Sequence, residues 1–210
     1  MPAFLIVIAL VLSAYLLSSL SGSLLLGRFR GVDIRTQGSG NAGGTNALRT
    51  QGWKFALGVV LVDVGKGALA AWLGLRFAPP DGALASQALG VATALAAVVG
   101  HVWPVWHGFR GGKGVGTLLG ALLVLWPVAV PWMLLAWIAV LVASGYVGLA
   151  SVVAVALLVP LAGWMKVEPS RWWFAGLAAL LVVFTHRGNL QRLRAGTESR
   201  FERVRLLRRR

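Results

Sequence analysis

Residues 54–76 read "KFALGVVLVDVGKGALAAWLGLR", and this stretch decides the fold. It is long enough to cross the hydrocarbon of a bilayer, which takes about 20 apolar residues as a helix. Between its ends, charge enters only at Asp63 and Lys66. They stand three apart on one helical face and can pair, which lowers the cost of holding either charge in lipid. Structural pairing is the leading reading of the two, with support of a site as the second. The run "GALAAWLG", 67–74, offers a small face for close helix packing. A membrane helix explains all of these features.

Similar runs recur on either side, at 3–26, 84–104, 114–127, 129–144, 147–165 and 171–186. The expected fold is therefore all-α, a polytopic integral membrane protein with seven transmembrane helices and one membrane-embedded domain over 1–210. Pro127 and Pro131 leave a six-span alternative in which 114–144 is one kinked crossing. Composition agrees, with 58% hydrophobic and 12% charged residues, where soluble domains carry roughly a quarter charged. The opening "MPAFLIVIALVLSAYLLSSL" is too long for a signal h-region and lacks a positive n-region, so it reads as a first span. The chain has no cysteine, which excludes disulfides, thiolate nucleophiles and cysteine-held metals.

The net charge of +14 would suit nucleic acid, but the positions of the charges say otherwise. With the N-terminus outside, the inward segments hold Arg28, Arg30, Arg35, Arg49, Arg110, Lys113 and nine tail arginines, with Lys54 at the boundary. The outward side keeps Arg76, Lys166 and Arg171. This is the positive-inside pattern, and it places the C-terminus in the cytoplasm. The basic residues report topology and anionic headgroups rather than nucleic acid. Trp53, Trp103, Trp106, Trp164, Trp172 and Trp173 fall near span ends, as interfacial tryptophans do.

The inward loops carry the chemistry. "GSGNAGGTNALR", 38–49, lets backbone approach a ligand closely through its glycines. "TNALR" reads as a helix start, which attracts anions. Ser39 and Thr45 offer hydroxyls, and Arg49 can hold a phosphate through two parallel donors. Taken alone, the loop serves equally as a flexible connector whose hydroxyls cap a helix. The second loop, "GFRGGKGVGT", 108–117, crowds glycines around Lys113 before an apolar span. It is no Walker loop, because Gly114 follows the lysine where Ser or Thr is required. It is no dinucleotide fingerprint either, because Thr117 stands where the third glycine belongs. Backbone amides and one cation still suit a phosphate. An inward anchor explains Arg110, and His107 needs no special role. An anchor does not explain glycines at 111, 112, 114 and 116 around the lysine. His101, Ser151, His186 and Asn189 add polar groups at or near the inner ends of spans.

These segments resemble a family. "GSGNAGGTNALR", "VDVGKG" (62–67), "GHVWPVWHGFRGGKGVGT" (100–117) and "THRGNLQRLRAGTESRF" (185–201) are similar to motifs of the bacterial integral-membrane glycerol-3-phosphate acyltransferases that use acyl phosphate, the PlsY family. The resemblance covers nearly the whole chain. The family's Y-V-S-L-x-S reads Tyr146-Val147-Gly148-Leu149-Ala150-Ser151 here, so the first serine is a glycine. Gly43-Gly44-Thr45-Asn46 and Lys113-Gly114-Val115-Gly116-Thr117 depart only by exchanging one small residue for another.

The resemblance implies transfer of an acyl chain from acyl phosphate to the 1-hydroxyl of sn-glycerol 3-phosphate, giving lysophosphatidic acid and inorganic phosphate. It implies a site at the cytoplasmic face of the bacterial inner membrane. Catalytic positions would be Ser39, Arg49, Lys113, Ser151, His186 and Asn189. Substrate would be bound around Gly38, Gly40, Asn41, Thr45, Asn46, His101, Gly111, Gly112, Gly114 and Thr117. The expected partners are glycerol 3-phosphate, long-chain acyl phosphate and membrane lipids, with acyl phosphate supplied by a soluble phosphate acyltransferase. A monomer without cofactor, metal or nucleic acid completes the expectation. Acyl phosphate is a mixed anhydride with a good leaving group, so no covalent enzyme intermediate is required. The His-x-x-x-x-Asp pattern of the other major glycerolipid acyltransferases is absent, since Trp106, Gly112 and Gln191 follow the histidines at that spacing. The proton goes either to His186 as a base or to a substrate phosphate; the second is the preferred reading, with His186 and Asn189 as binding and orienting groups.

Overall fold

The computed structural model describes residues 2–80 and 85–201. Residue 84, where the third expected span begins, and tail arginines 203, 205 and 208–210 lie outside the described residues. Those described residues form helices and connecting turns, with no strand among them. The chain divides into two compact units, 1–127 and 128–210.

Unit 1 contains α1 (Ala3–Ser18), α2 (Gly22–Phe29), α3 (Gly44–Gln51), α4 (Trp53–Arg76), α5 (Ser86–Val102) and α6 (Val115–Leu125). Short 3-10 turns lie at Ile34–Thr36 and Val105–His107. Helix α4 matches the deciding stretch almost residue for residue. Glycine lets its neighbours come close. A Cβ at Gly67 would strike the Thr117 carbonyl of α6, and one at Gly120 would strike the Val64 carbonyl of α4. The small face read from "GALAAWLG" is thus a real packing surface.

The first expected span, 3–26, is not one helix. It breaks after Ser18 and resumes at Gly22, with a bend of 46°. The α4 ion pair explains why the break is tolerated. Lys66 Nζ donates to the carbonyls of Ser18 (2.9 Å) and Leu20 (3.1 Å), and the Gly22 amide donates to Asp63 Oδ1 (3.0 Å). In lipid, freed backbone groups need protein partners, and here two side chains of a neighbouring helix supply them.

Unit 2 contains α7 (Ala129–Ser144), α8 (Val147–Ala156), α9 (Leu158–Trp164), α10 (Pro169–Thr185) and α11 (Arg187–Arg194). Pro160 has no N–H to give the Ala156 carbonyl, and α8 ends at Ala156. The tail then folds back within the unit. The Phe201 amide donates to the Gly145 carbonyl (2.8 Å), and Arg200 Nε donates to the Tyr146 hydroxyl (2.6 Å).

Among the described residues, three helical runs are long and apolar enough to cross a membrane. They are Trp53–Arg76, Ser86–His107 and Val147–Trp164, and the bent α1–α2 pair makes a fourth. Helices α6, α7 and α10 are shorter apolar segments. Large apolar side chains stand bare, among them Leu61 (64% exposed), Trp173 (68%) and Leu180 (70%). Such a surface suits lipid rather than water.

Candidate active site

The first glycine loop is held from below. Ile34, Ala47, Phe55, Ala56 and Val59 form a buried cluster that seats the loop and α3 on α4. Gly38 and Gly40 take φ of +56° and +70°, which glycine adopts without strain. Asn46 then fastens the turn. Its Oδ1 accepts from the Ser39 amide (2.9 Å), and its Nδ2 donates to the carbonyls of Ile34 and Gln37 (3.0 Å each). Asn46 is 1% exposed, so these contacts use its amide to shape the loop. Helix α3 begins at Gly44, and its N-terminal turn includes Thr45. Ser39 and Arg49 are exposed, while Asn41 and Thr45 are half-buried.

The second loop leaves α5 through the Val105–His107 turn and enters α6 at Val115. Gly111 and Gly112 donate their amides to the carbonyls of Val102 (3.1 Å) and His101 (3.1 Å). Neither position has room for a Cβ. At Gly111 it would strike the His101 carbonyl, and at Gly112 it would strike the His101 ring. Gly114 turns the chain at φ +89° into the N-terminus of α6. Half-buried Lys113 stands in front of that electropositive end, and buried Thr117 lies in its first turn.

Behind this loop lies the α4 ion pair, joined by a third group. Lys66 Nζ is 2.9 Å from Asp63 Oδ1 and 3.0 Å from His101 Nδ1. His101 Nδ1 is 3.4 Å from Asp63 Oδ1. All three residues are buried. A Cβ on Gly116 would lie 3.5 Å from Asp63 Cβ. The pairing expected from the three-residue spacing is present, and it supports both the α1–α2 break and the floor of the lysine loop.

The two loops meet within unit 1. Arg35 Nη1 donates to the carbonyls of His107 (2.9 Å) and Arg110 (3.1 Å). Its Nε and Nη2 grip Asp33 at 3.0 and 2.7 Å. A Cβ on Gly112 would also come within 2.9 Å of the Ala42 carbonyl. The Arg35 guanidinium holds the Asp33 carboxyl below its usual range. Sequence reasoning counted Arg35 only among the inward charges. Its acceptors are backbone carbonyls, which leave no mark in a sequence.

Unit 2 carries the remaining expected positions. Ser151 is 5% exposed, and its hydroxyl accepts from Trp137 Nε1 (3.2 Å). His186 is buried at the end of α10, with Nδ1 2.9 Å from the Val182 carbonyl. A carbonyl only accepts, so Nδ1 carries a proton, and in the neutral ring the lone pair lies on Nε2. Asn189 Nδ2 donates to Glu198 Oε1 (2.6 Å), and Arg192 Nε holds the other carboxylate oxygen (2.7 Å).

Comparison with known proteins follows the same lines. The sequence profile of the glycerol-3-phosphate acyltransferase family matches residues 8–196. The chain is 45% identical over 197 residues to the glycerol-3-phosphate acyltransferase of Myxococcus xanthus, covering 92% of this chain and 98% of that one. It is 37% identical over 222 residues to that of Chlorobaculum tepidum, covering 92% and 95%. Among solved structures it resembles PlsY, an integral membrane glycerol 3-phosphate acyltransferase, in its glycerol 3-phosphate form. That match has a TM-score of 0.85 and 33% identity, and covers 93% of this chain and 95% of that one. The lysophosphatidic acid form of the same protein matches with a TM-score of 0.83 and 32% identity, over 92% and 94% of the two chains. With the glycine loops, the buried floor and the apolar helices in place, these matches make the chain a member of the PlsY family of integral membrane glycerol-3-phosphate acyltransferases.

Proposed function

We propose that the protein transfers an acyl chain from acyl phosphate to the 1-hydroxyl of sn-glycerol 3-phosphate. The products are lysophosphatidic acid and inorganic phosphate. The observation that carries this reading is the junction of the two glycine-rich loops, each opening a helix N-terminus, with Lys113 before the second helix and Arg49 in the last turn of the first. Two phosphorylated anions repel when brought together, so the site needs cations and amide donors that are already in place.

In this mechanism the glycerol oxygen attacks the acyl carbon. The carbon–oxygen bond to phosphate breaks, and phosphate leaves with the electron pair. The hydroxyl proton passes to a substrate phosphate oxygen. The enzyme forms no covalent bond, and its contribution is alignment, which can supply about 7–11 kcal/mol. Ser39, Arg49 and Lys113 bind phosphate, and the Gly111 and Gly112 amides, which donate to the Val102 and His101 carbonyls, shape the loop. Ser151, His186 and Asn189 orient the reacting groups. The apolar helices receive the acyl chain from the lipid, at about 0.8 kcal/mol per buried methylene.

The proposal includes seven spans with the N-terminus outside, and residues 1–210 acting as one acyltransferase domain in a monomer. The site faces the cytoplasm of a bacterial inner membrane, where a soluble phosphate acyltransferase supplies the donor. Cysteines introduced one per loop into this cysteine-free chain, and labelled from either side, test the topology.

The activity is tested by incubating detergent-purified protein with palmitoyl phosphate and glycerol 3-phosphate. Release of phosphate and appearance of lysophosphatidic acid, in equal amounts, is the expected result. Uptake of glycerol 3-phosphate into proteoliposomes without either product would replace the reading with a transporter.

A further inference from the structure

The turn that presents Lys113 is strained, and one side chain reaches across from the other loop to hold it. Gly108 and Phe109 take φ of +64° and +60° in succession. For phenylalanine this is an uncommon backbone state that the surroundings must impose. The carbonyls on either side of the pair, His107 and Arg110, both accept from Arg35 Nη1. The guanidinium therefore straddles the strained turn. Its other edge is fixed by Asp33, whose Oδ1 also accepts from the Arg35 amide at 2.9 Å.

Arg35 is itself anchored to the first glycine loop. It lies in the 3-10 turn Ile34–Thr36, and buried Asn46 holds the Ile34 and Gln37 carbonyls on either side of that residue. A path of hydrogen bonds runs from Ser39 through Asn46 and the 3-10 turn to Arg35, and on to the His107 and Arg110 carbonyls, beside Gly108 and Gly111.

The geometry assigns Arg35 as a positioning residue for phosphate binding. It fixes the separation and register of the two glycine-rich loops, and it acts through the turn at Gly108 and Phe109. The assignment rests on the acyltransferase reading above, since the anions it serves are the phosphates of those two substrates. Lysine cannot take the role. It offers a point charge in place of a planar fork, so it cannot hold a carboxylate and two carbonyls at once.

The test uses R35K and R35A in the full-length, detergent-purified protein. R35K is expected to fold, with a KM for one or both phosphorylated substrates raised by at least about tenfold, and with kcat changed less. Millimolar guanidinium is expected to restore substrate affinity to R35A, while ammonium does not. Thermal unfolding is measured beside the kinetics. A lowered Tm with unchanged KM values would mark Arg35 as a fold residue only and overturn the assignment. Raised KM values that guanidinium leaves unmoved in R35A would overturn it too. Inactivity of the unmutated protein would instead overturn the acyltransferase reading, so the two failures are distinguishable.

Discussion

Gly148 leaves the space that Asn189 fills. A Cβ at position 148 would stand 2.9 Å from Asn189 Cβ and 3.0 Å from its amide nitrogen. Where the family pattern has serine, this chain uses the room for the asparagine side chain, which then reaches Glu198 at 2.6 Å. Gly148→Ser would restore the family residue and yet is expected to lower turnover here, because Asn189 must shift and its bond to Glu198 must lengthen. Steady-state assays of G148S beside a G148A control check this. Activity equal to the parent in both variants would show that Asn189 yields at no cost.

Breaking the buried pair should be costly. Lys66→Met strands the Asp63 carboxylate and removes the donor from the Ser18 and Leu20 carbonyls at the helix break. Removing one partner of a buried ion pair typically costs about 3–5 kcal/mol, so thermal unfolding in detergent should show a clear fall in Tm. The double variant D63N/K66M should lose less than the sum of the two single changes, because neither charge is then stranded.

Asn46→Ala should loosen the first glycine loop without touching Arg49 or Lys113. It removes one of two donors from the Ile34 and Gln37 carbonyls, which keep the Gln37 and Gly40 amides, and takes the acceptor from the Ser39 amide, each lost hydrogen bond costing about 0.5–1.5 kcal/mol. A raised KM for glycerol 3-phosphate, a lowered Tm, or both together is the expected outcome. Asn46→Asp should do no better, because a carboxylate can accept from Ser39 but cannot donate to the two carbonyls.

Strong acid should weaken the loop junction. Asp33 has a folded pKa below its ordinary 3.8. Its contribution is present above that value and disappears as pH falls below it. Asp33 is 42% exposed, so solvent screens the effect. Asp33→Asn should change the Tm profile only at the most acid end.

Much of the architecture was legible before any coordinates. Each expected span contains a helix, because long apolar runs leave the backbone no other way to satisfy itself in lipid. The Asp63–Lys66 pair was legible too, since its spacing fixes the geometry within one helix. The bend at Ser18–Gly22 was hidden, because its cause lies in α4, more than forty positions along the chain. Asn46 read as a substrate group. The structure shows its amide fastening the loop, and only tertiary contacts reveal that. Arg35 was illegible for a similar reason, since a positive-inside arginine and a loop clamp look identical as letters.

The buried pair also bears on how the protein is built. Asp63 and Lys66 sit on one helix, so α4 brings its own counter-ion along and can leave the insertion machinery nearly neutral. The first apolar segment has no such provision. Its carbonyls at Ser18 and Leu20 and its amide at Gly22 find their partners only on α4. An N-terminal segment emerging alone would be driven to stay one straight helix. The bend therefore depends on α4 standing beside it, and so does the floor of the lysine loop.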